Sequence, residues 1–523
     1  MKFRPLLILA TLVVLLRLPF FNNPAIHIDE QFYLVVADKW VHGGLLPYVD
    51  IWDRKPIGIF VIYALAVVAF ANAILGYQLI ATLFVIATAI VVMRLGEMQQ
   101  SKPIVPFLAA AIYAVAIMLM EGFGGQTPVF YNLFVASGAM LLFSSISDGP
   151  PTERQVAVRA VSACVLFGLA LQIKYLCVIE CVVLSLYFLV MLYRRRALPN
   201  SHLGMLAIAM AFCGLAPTLI AGAIYAATGH WQEFFSANFE SIFTKALWRL
   251  SAFEYARRFA EASALAIMFL PFAAVGTWEA MRDQGRGAIR DLPWALVLWL
   301  LAAFFGAITM GNPSRHYFLP TLVPLALLAS LGFARVSEQS NALGRCLLSL
   351  NSRLHGYGGA VALLALPVVA SYITLYINEL QRGEPQDVYA LGEYIKAHRT
   401  EDCPFIFNRL PILYYLGEAC IPSIYAFPNH LSEVSEVRTP GRERLRELER
   451  VLASRPSMIF VRRPHTVDTD SEAIGILERA LHDDYVLAME RPGSRQTYDI
   501  YIPRMSPIKA PSGQNIEFQR MIE

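Results

Sequence analysis

Charged residues are scarce in this chain of 523 residues: 16% are Asp, Glu, Lys or Arg, while 56% are hydrophobic. A soluble globular domain carries about 25% charged residues, so an ordinary soluble protein is excluded. The glycine-rich phosphate motifs GxGxxG and GxxxxGK[ST] are also absent, which argues against the nucleotide-binding folds that use them. The net charge of +3 is small, and the basic clusters fall in short loops, so we expect no nucleic-acid partner.

Cysteine is the next scarce residue, with seven in the chain and no CxxC or Cys/His spacing typical of a metal site. Cys403 and Cys420 lie in the polar C-terminal region, which would face an oxidising compartment if it is external. We therefore predict a disulfide between them, the alternative being two free thiols. The others lie in apolar runs or a basic loop and are interpreted as packing or bystander thiols: Cys164, Cys177, Cys181, Cys213 and Cys346.

Long apolar runs, by contrast, are abundant in the chain. Each run covers a bilayer core of about 30 Å at about 1.5 Å per helical residue, and only helices satisfy the backbone there. The sequence therefore predicts a polytopic α-helical membrane protein with about 11–13 transmembrane helices. The predicted spans are Pro5–Phe21, Ile57–Leu75, Tyr77–Leu95, Pro103–Met120, Pro128–Ile146, Val156–Ile173, Leu176–Tyr193, Leu203–Tyr225, Ala262–Met281, Leu292–Met310, Tyr317–Val336 and Gly359–Ile377.

The distribution of Lys and Arg between the runs predicts the orientation. The first run follows Lys2 and Arg4 and has no small-residue cleavage site, so we expect an uncleaved helix and a cytoplasmic N-terminus. Three later loops rich in arginine, beginning with Arg194–Arg196, should also be cytoplasmic. Loops 22–56 and 226–261 and everything after Ile377 are then external.

One segment conflicts with this alternation. Three apolar segments separate the first external loop from Glu121, which the downstream basic loops also place outside. An odd number of crossings cannot return the chain to the same face. We therefore expect one segment between Ile57 and Met120 not to be a simple crossing, and an odd number of spans in total.

The composition changes toward Arg, Glu and Asp near residue 381. Residues 1–380 are predicted to form the transmembrane domain, 381–507 a small soluble external α/β domain and 508–523 a tail. "VYALGEYIKAHR" and "RERLRELERVLASR" have helical periodicity, whereas "PFIF", "MIFVRR" and "TYDIYI" are strand candidates.

Polar residues gather on the predicted external face. Ionisable groups near membrane depth are costly unless paired or functional, so we expect a site at this boundary. Acids that accept a proton lie beside bases that hold phosphate, which suits attack by a hydroxyl or amine on a substrate with a phosphate leaving group, and hence a lipid carrier. The set is Asp29, Glu30, Asp53, Arg54, Lys55, Gln126, Lys174, Arg315, His316 and Tyr317.

Each member of this set also has an ordinary structural interpretation. Asp29 and Glu30 suit the N-terminus of the following helix "QFYLVVADKW", which looks amphipathic and is predicted to lie along the membrane interface. Lys55 and Lys174 could extend to the interface from helix ends. Lysines at helix ends would explain the cations but not the acids that lie beside them. The combination favours the functional interpretation.

The ordered motifs resemble those of the GT-C membrane glycosyltransferases, specifically the bacterial branch similar to protein O-mannosyltransferases and lipid A aminoarabinose transferases. The resemblance rests on Asp29-Glu30 three residues before Tyr33, then "DRKP", "GLALQIKY", "GHWQEFFSANF" and "SRHYFLPTLVPLALLAS". It implies transfer of a sugar, with inversion, from a polyprenyl-phosphate carrier to an envelope acceptor such as a lipid, glycan or protein.

Carried over by residue, the resemblance implies that Asp29 is the general base or orients the acceptor, with Glu30 beside it. It further implies that the carrier phosphate is bound by a set of cationic and polar residues: Arg54, Lys55, Lys174, Arg315, His316 and Tyr317. Tyr33, Asp53 and Gln126 are expected to position the acceptor or substrate.

The chain departs from the family at two places. "KPI" stands where the family has "KPP", and "GGQTPVFYN" lacks the acid common in the second external loop. A divalent cation is therefore only a candidate cofactor, with Asp53 or Glu121 as substitute carboxylates. A transporter or flippase of a lipid-linked sugar or other anionic solute is the second interpretation, although no inverted repeat is found. A membrane anchor for the C-terminal domain is the third.

Overall fold

The computed structural model describes residues 3–99, 104–147, 152–241, 251–264, 267–282, 292–309, 313–338, 368–370, 372–377, 379–380, 382–434, 443–466, 468–492 and 495–504. Predictions for residues 339–367 and for the tail after 507 lie outside this part of the chain. The helices of the apolar region begin with α1 Phe3–Arg17, α2 Ile28–Gly43, α3 Ile57–Ala69, α4 Ala73–Met98, α5 Ile104–Leu119, α6 Thr127–Ser147, α7 Glu153–Leu171, α8 Val178–Arg194 and α9 Asn200–Ala227.

The second half of the apolar region has shorter and more irregular elements. They are α10 Trp231–Phe235, the π-helix Ser236–Glu240, α11 Ala252–Ser263, the 3₁₀ turn Ile267–Phe269, α12 Leu270–Arg282, α13 Leu292–Thr309, the 3₁₀ turn Arg315–Thr321 and α14 Leu322–Glu338. Two more 3₁₀ turns, Leu18–Phe20 and Tyr175–Cys177, follow α1 and precede α8. Together these elements build a mostly helical bundle with one continuous apolar core.

Seven described helices are long and apolar enough to cross a membrane. A bent pair, Ala252–Ser263 and Ile267–Trp278, adds an eighth candidate, and its axes differ by 60°. The predicted span Ala262–Met281 begins at this bend and otherwise coincides with the turn Ile267–Phe269 and α12, so it stays a prediction. Pro271 lies in the first turn of α12, where its missing N–H costs nothing. The predicted total of about 11–13 spans stays a prediction, since only part of the chain is described.

Helix α3 explains the segment that conflicted with the alternation. It has 13 residues, which cover only about 20 Å. It begins beside Asp29, where the Lys55 ammonium lies 3.9 Å from the carboxylate. It ends beside the α1–α2 loop, since the Asn72 amide donates to Asn22 Oδ1 at 2.8 Å. The start of α3 thus lies beside the first turn of α2 and its end beside the α1–α2 loop, and the segment that does not cross stays a prediction.

Helix α2 is buried between two parts of the molecule, and its predicted position at the membrane interface stays a prediction. Every residue from Glu30 to Ala37 is buried. One side packs against α3, where the Tyr33 ring meets the Phe60 ring. Another side meets the C-terminal domain, where Phe32 contacts Phe427 with ring centroids 4.9 Å apart. The two contacts bury this part of the helix within the protein.

The C-terminal domain is a small α/β unit. Its four-stranded sheet has the order β1-β2-β4-β3, with β1 parallel to β2 and the other pairs antiparallel. The helices α15 and α18 and the strands β1, β2 and β4 follow the predicted segments, whereas α19 and β3 were not predicted. Its elements are α15 Pro385–Ala397, β1 Phe405–Ile406, α16 Leu413–Leu416, α17 Pro428–Ser432, α18 Glu443–Ala453, β2 Ile459–Arg463, α19 Ser471–Asp484, β3 Tyr485–Pro492 and β4 Thr497–Pro503.

Polar and aromatic contacts hold this domain against the α1–α3 region. The Trp52 amide donates to the Ile424 carbonyl at 2.9 Å, and the Trp52 ring meets the His430 ring edge-on. The Tyr389 hydroxyl donates to Asn22 Oδ1 at 2.8 Å. Within the domain, a disulfide joins Cys403 to Cys420. The first polar loop of the apolar region is thus covered by the C-terminal domain.

Candidate functional site

The N-terminus of α2 presents the acid on which the site centres. His27 caps the helix, and its Nδ1 accepts a hydrogen bond from the Asp29 amide at 3.2 Å. The cap leaves the Asp29 side chain in the first turn, where the positive end of the helix dipole favours a carboxylate. This side chain is 22% exposed, so a ligand can reach its oxygens.

Lys55 lies between two acids. Its ammonium is 3.9 Å from Asp29 Oδ1 and 3.9 Å from Asp53 Oδ1. Asp53 is buried and accepts a hydrogen bond from the Lys55 amide at 3.2 Å, so it shapes the turn that leads into α3. The Tyr48 hydroxyl donates to the Lys55 carbonyl at 2.7 Å and fixes the same turn. The two predicted halves of the site, Asp29 and Lys55, are therefore brought together.

The surrounding charges keep Asp29 ionised. Burial by itself would raise the pKa of Asp29, but the Lys55 ammonium, with smaller contributions from His27, His316 and Lys174, holds that pKa well below its usual range. Burial of Lys55 is likewise outweighed by its two acids, which raise its pKa. Both groups are charged at neutral pH, so the site presents an anion and a cation side by side.

Glu30 follows Asp29 in the chain but has a different environment. Its side chain is 0% exposed, and both carboxylate oxygens face the glycine loop, Glu121–Gln126. A Cβ added to Gly124 would lie 2.0 Å from Glu30 Oε2, so a larger residue there would displace this carboxylate or the loop. Burial raises the pKa of Glu30 to about 7. Glu30 therefore contacts the neighbouring loop and not the accessible part of the site.

A buried arginine that the sequence analysis did not select holds the glycine loop. Arg17 donates to the Gly122 carbonyl at 2.6 Å and the Gly124 carbonyl at 2.8 Å, while its Nε donates to Thr82 at 2.9 Å. Gln126, which ends the loop, is 1% exposed, and its amide nitrogen has no hydrogen-bond partner. Arg17 thus holds the loop by hydrogen bonds to two of its carbonyl groups, and the buried side-chain amide of Gln126 lies at the end of the loop.

Lys174, Tyr317 and Tyr33 surround the Lys55 side of the site. The Lys174 ammonium lies 4.8 Å from the centroid of the Tyr317 ring, and the Lys55 ammonium lies 5.5 Å from that of Tyr33. Tyr33 is 1% exposed, and its hydroxyl has no hydrogen-bond partner. We call Lys55 and Lys174 the lysine cluster. It consists of two cations against aromatic rings next to Asp29.

The two remaining predicted arginines have different surroundings. Arg54 lies over the Trp52 ring at 5.4 Å and so points toward the contact with the C-terminal domain. Arg315 begins the 3₁₀ turn that precedes α14 and is half-buried. No carboxylate among the described residues pairs with Arg315. Arg315 is thus a cation near the site without a carboxylate partner in the described part of the chain.

A histidine, a glutamate and a second histidine form a candidate metal centre. Nitrogen and oxygen ligand atoms of His27, Glu121 and His316 all lie within 4.8 Å of one another. His316 is 6% exposed, and its Nδ1, 3.8 Å from Glu121 Oε2, has no hydrogen-bond partner. Two imidazoles and one carboxylate are a ligand set that suits Zn²⁺ with an open position. The residues therefore fit a divalent cation.

Three of the residues at this site were missed or only partly anticipated. His27 stands two residues before Asp29, a helix-cap position that gave no signal of a ligand. Arg382 lies beyond the last predicted span, yet its guanidinium reaches Glu121 Oε2 at 3.5 Å. Arg17 ends the first helix and has the appearance of a flanking basic residue. Long-range packing brings these residues together, and sequence spacing does not reveal it.

Solved structures show which fold this is. ArnT from Cupriavidus metallidurans bound to undecaprenyl phosphate matches with a TM-score of 0.63 and 12% identity, covering 96% of this chain and 99% of that one. ArnT in the apo state matches with the same TM-score, 14% identity and the same coverage. An Archaeoglobus fulgidus oligosaccharyltransferase in complex with Zn and sulfate has a TM-score of 0.43 and 13% identity, over 76% of this chain and 56% of that one. Neither a protein-family model nor a curated protein matches. The expected GT-C fold, a multi-pass membrane protein, is confirmed.

Proposed function

We propose that this protein transfers a sugar from a polyprenyl-phosphate carrier to an acceptor on the external face of a bacterial inner membrane, with inversion at the anomeric carbon. The observation that carries the proposal is the Asp29–Lys55 pair, an accessible ionised carboxylate 3.9 Å from an ammonium at the end of apolar helices. A base and a phosphate-binding cation are the two groups this reaction needs.

The transfer step assigns one role to Asp29. The acceptor oxygen or nitrogen attacks the anomeric carbon as the bond from that carbon to the carrier phosphate oxygen breaks. The acceptor proton passes to the Asp29 carboxylate, and the electron pair of the broken bond stays on the carrier phosphate. A single displacement of this kind inverts the configuration at the anomeric carbon.

Lys55 neutralises the charge that develops on the leaving phosphate. Arg315, Lys174 and Tyr317 are proposed to complete this side, since Arg315 has no acid partner and Lys174 lies beside Tyr317. The ArnT structure of the same fold contains undecaprenyl phosphate, which supports a polyprenyl-phosphate ligand here. Binding of phosphate to Lys55 would weaken the main positive influence on Asp29 and raise the pKa of that carboxylate toward its usual range. Carrier binding would thereby make Asp29 a better base.

Glu30 is proposed to act as a positioning residue. Its carboxylate has no exposed surface and faces Gly124, so it orients the glycine loop rather than touching the acceptor. Tyr33, Asp53 and Gln126 are buried in the same way and are assigned the same kind of role. Arg54 stacks on Trp52 and is proposed to tie the site to the C-terminal domain.

A divalent cation at His27, Glu121 and His316 is part of the proposal. Their nitrogen and oxygen atoms lie within 4.8 Å of one another, and His316 Nδ1 is left without a hydrogen bond. When bound, the ion supplies fixed positive charge close to Asp29. His27 is shared between the two groups, since its Nδ1 lies 3.7 Å from Asp29 Oδ2.

Metal content tests this part without any activity assay. We expect the purified protein to retain about one equivalent of zinc by mass spectrometry, and His316→Ala to lose it, since removing one of three ligands leaves too few. His42→Ala changes an exposed histidine outside the centre and should retain the metal. Equal metal content in the wild type and His316→Ala would contradict the assignment.

Reconstitution tests the function itself. Proteoliposomes given a radiolabelled polyprenyl-phosphate-linked sugar and an envelope extract should form a glycosylated product that is absent without protein. A transporter or flippase would instead move the lipid across the bilayer and form no product. Labelled lipid that changes leaflet while the extract stays unlabelled would contradict the proposal and favour transport.

A further inference from the structure

The two lysines of the lysine cluster belong to separate segments that are tied together by their backbones. Lys55 precedes α3, whereas Lys174 follows α7. The Gly58 amide, at the start of α3, donates to the Gln172 carbonyl at 2.8 Å. A Cβ added to Gly58 would lie 2.6 Å from that carbonyl oxygen, so the two segments are in close contact. This contact holds the lysine cluster together on one side.

Tyr48 holds the Lys55 segment on another side. Its hydroxyl donates to the Lys55 carbonyl at 2.7 Å. Its backbone has a φ of 71°, in the left-handed region that bulky residues rarely adopt. A strained residue of this kind persists only where its surroundings hold it, and such residues cluster at functional sites. The Tyr48 side chain is buried, so its contacts inside the protein keep it in this conformation.

Asn238 connects Tyr48 to the segment of the second lysine. Tyr175, the residue after Lys174, donates from its hydroxyl to Asn238 Oδ1 at 3.1 Å. The Asn238 side chain also hydrogen-bonds with the Tyr48 hydroxyl. Its amide nitrogen donates to the Phe234 carbonyl at 2.9 Å, which fixes the orientation of the amide. One buried amide therefore joins the residues that hold the two lysine segments.

Asn238 lies in the π-helix Ser236–Glu240. A π turn contains an extra residue, so it changes the direction of the side chains that follow, and such turns occur frequently at functional sites. Asn238 is 0% exposed, although Ser236 and Phe239 in the same turn are partly exposed. The π turn thus accompanies a polar side chain that is directed into the protein, where it meets two tyrosines.

We infer that Asn238 is a positioning residue for the carrier phosphate, which sets the spacing of Lys55 and Lys174 so that one phosphate contacts both ammonium groups. The inference rests on the proposed function, since it takes the lysine cluster as the phosphate-binding group. Both lysines act on the Asp29 carboxylate, so both lie close to the reacting groups. A lysine is a point charge on a flexible stem, so its position depends on the backbone that carries it. Asn238 acts on that backbone through the two tyrosines.

Binding of undecaprenyl phosphate and of undecaprenol, which differ only in the phosphate, tests the inference. Native mass spectrometry of the full-length protein in detergent gives both dissociation constants. The wild type should prefer undecaprenyl phosphate, and Asn238→Ala should reduce that preference about tenfold, as the loss of one charge-assisted contact does. Tyr175→Phe keeps the ring and should reduce the preference similarly. Because these two residues share one hydrogen bond, the double variant should show no further reduction.

Two further variants separate positioning from stability. Asn408→Ala is the matched control, since Asn408 is also buried and makes two hydrogen bonds to the backbone of Arg462 in the C-terminal domain. It should lower the melting temperature and leave the preference for undecaprenyl phosphate unchanged. Gly58→Ala forces the two lysine segments apart without altering Asn238, so it should reduce the preference as Asn238→Ala does.

Lys55→Ala separates this inference from the proposed function, because it should abolish the preference for undecaprenyl phosphate. If it does so while Asn238→Ala and Tyr175→Phe keep the wild-type preference, the inference is overturned and the proposed function stands. Equal weakening of both ligands in Asn238→Ala would also overturn the inference, since it would show a structural role alone. A wild-type preference in Lys55→Ala would instead count against the proposed function.

Discussion

The lysine cluster and the arginine cavity both lie near the start of α2, yet their cations are arranged differently. The arginine cavity has a volume of about 370 Å³, and its lining includes Arg382, Arg409, Arg462 and Arg495. Lys55 has two acids at 3.9 Å, and both lysines lie against tyrosine rings. Arg409 and Arg495 in the cavity have no acid partner among the described residues. The lysines come from loops between apolar helices, whereas most of the arginines come from the C-terminal domain.

The difference indicates how the charge of each region is used. Lys55 is held in place by its acid partners even without a ligand, and it keeps Asp29 ionised in the unliganded protein. Unpaired arginines gain their counter-charge only when an anion binds, so their contribution appears as ligand affinity and salt dependence. The lysine cluster sets the charge state of Asp29, and the arginine cavity contributes to ligand selection.

Removing the Asp29 carboxylate should have the largest effect on sugar transfer. Asp29→Asn keeps the size of the side chain but cannot accept the acceptor proton, so we expect transfer to fall about 10²- to 10⁴-fold. Undecaprenyl phosphate should still bind. Initial rates in proteoliposomes measure the first expectation and lipid co-purification the second. Asp38→Asn, on the same helix but paired with Lys39, is the control; full activity of Asp29→Asn would refute the assigned base.

Lys55→Ala alters the lysine cluster alone and should lower transfer about 10²- to 10³-fold, as removal of one group that stabilises developing charge does. Lys55 is also the main group that lowers the pKa of Asp29, so the acid limb of the pH–rate profile should move to higher pH. Lys39→Ala removes a lysine of α2 that pairs with Asp38. It should leave the transfer rate and the acid limb of the profile unchanged. A lower rate without any shift of the acid limb would show that Lys55 does not act on Asp29.

Gly124→Ala tests the loop beneath the two regions. Its new Cβ would lie 2.0 Å from Glu30 Oε2, so the buried Glu30 carboxylate or the glycine loop must shift, at a cost of about 1–3 kcal/mol of unfolding free energy. Thermal unfolding in detergent measures this loss, and transfer should fall with it. Gly204→Ala, where no atom lies within 4 Å of the added Cβ, should be neutral or slightly stabilising. Equal melting temperatures for the two variants would mean that Glu30 is not packed against the loop.

Glu30→Gln should have the smallest effect on transfer and a specific effect on stability. Burial raises the pKa of Glu30 to about 7, above the value of about 4.3 expected when unfolded. Between these values the folded state binds more protons than the unfolded state, so this group makes stability fall as pH rises. Glu30→Gln removes that fall. The melting temperature of the variant minus that of the wild type should therefore increase from pH 5 to pH 8. A constant difference across this range would exclude the raised pKa.

The residue pattern around the first polar loop was sufficient to identify the centre of the site. Asp29 and Lys55 were selected because acids and bases together are not explained by isolated helix ends, and the structure brings them within 3.9 Å. The parity of the basic loops also predicted a segment that does not cross the membrane, and this stays a prediction, with the 13-residue helix α3 as a candidate. The structure adds that α2 is buried from Glu30 to Ala37, with Phe32 against the C-terminal domain, while its position at the membrane interface stays a prediction.

The sequence by itself determined the membrane class, the GT-C fold and the acid beside a lysine, because apolar run length, charge placement and motif order are local properties of the chain. Only the tertiary structure separated Asp29 from its neighbour Glu30, since one residue of rotation on α2 turns the first toward Lys55 and the second into the glycine loop. It also brought Arg382 next to Glu121 and closed the arginine cavity. Those contacts join segments hundreds of residues apart, and packing of the C-terminal domain against α2 brings them together.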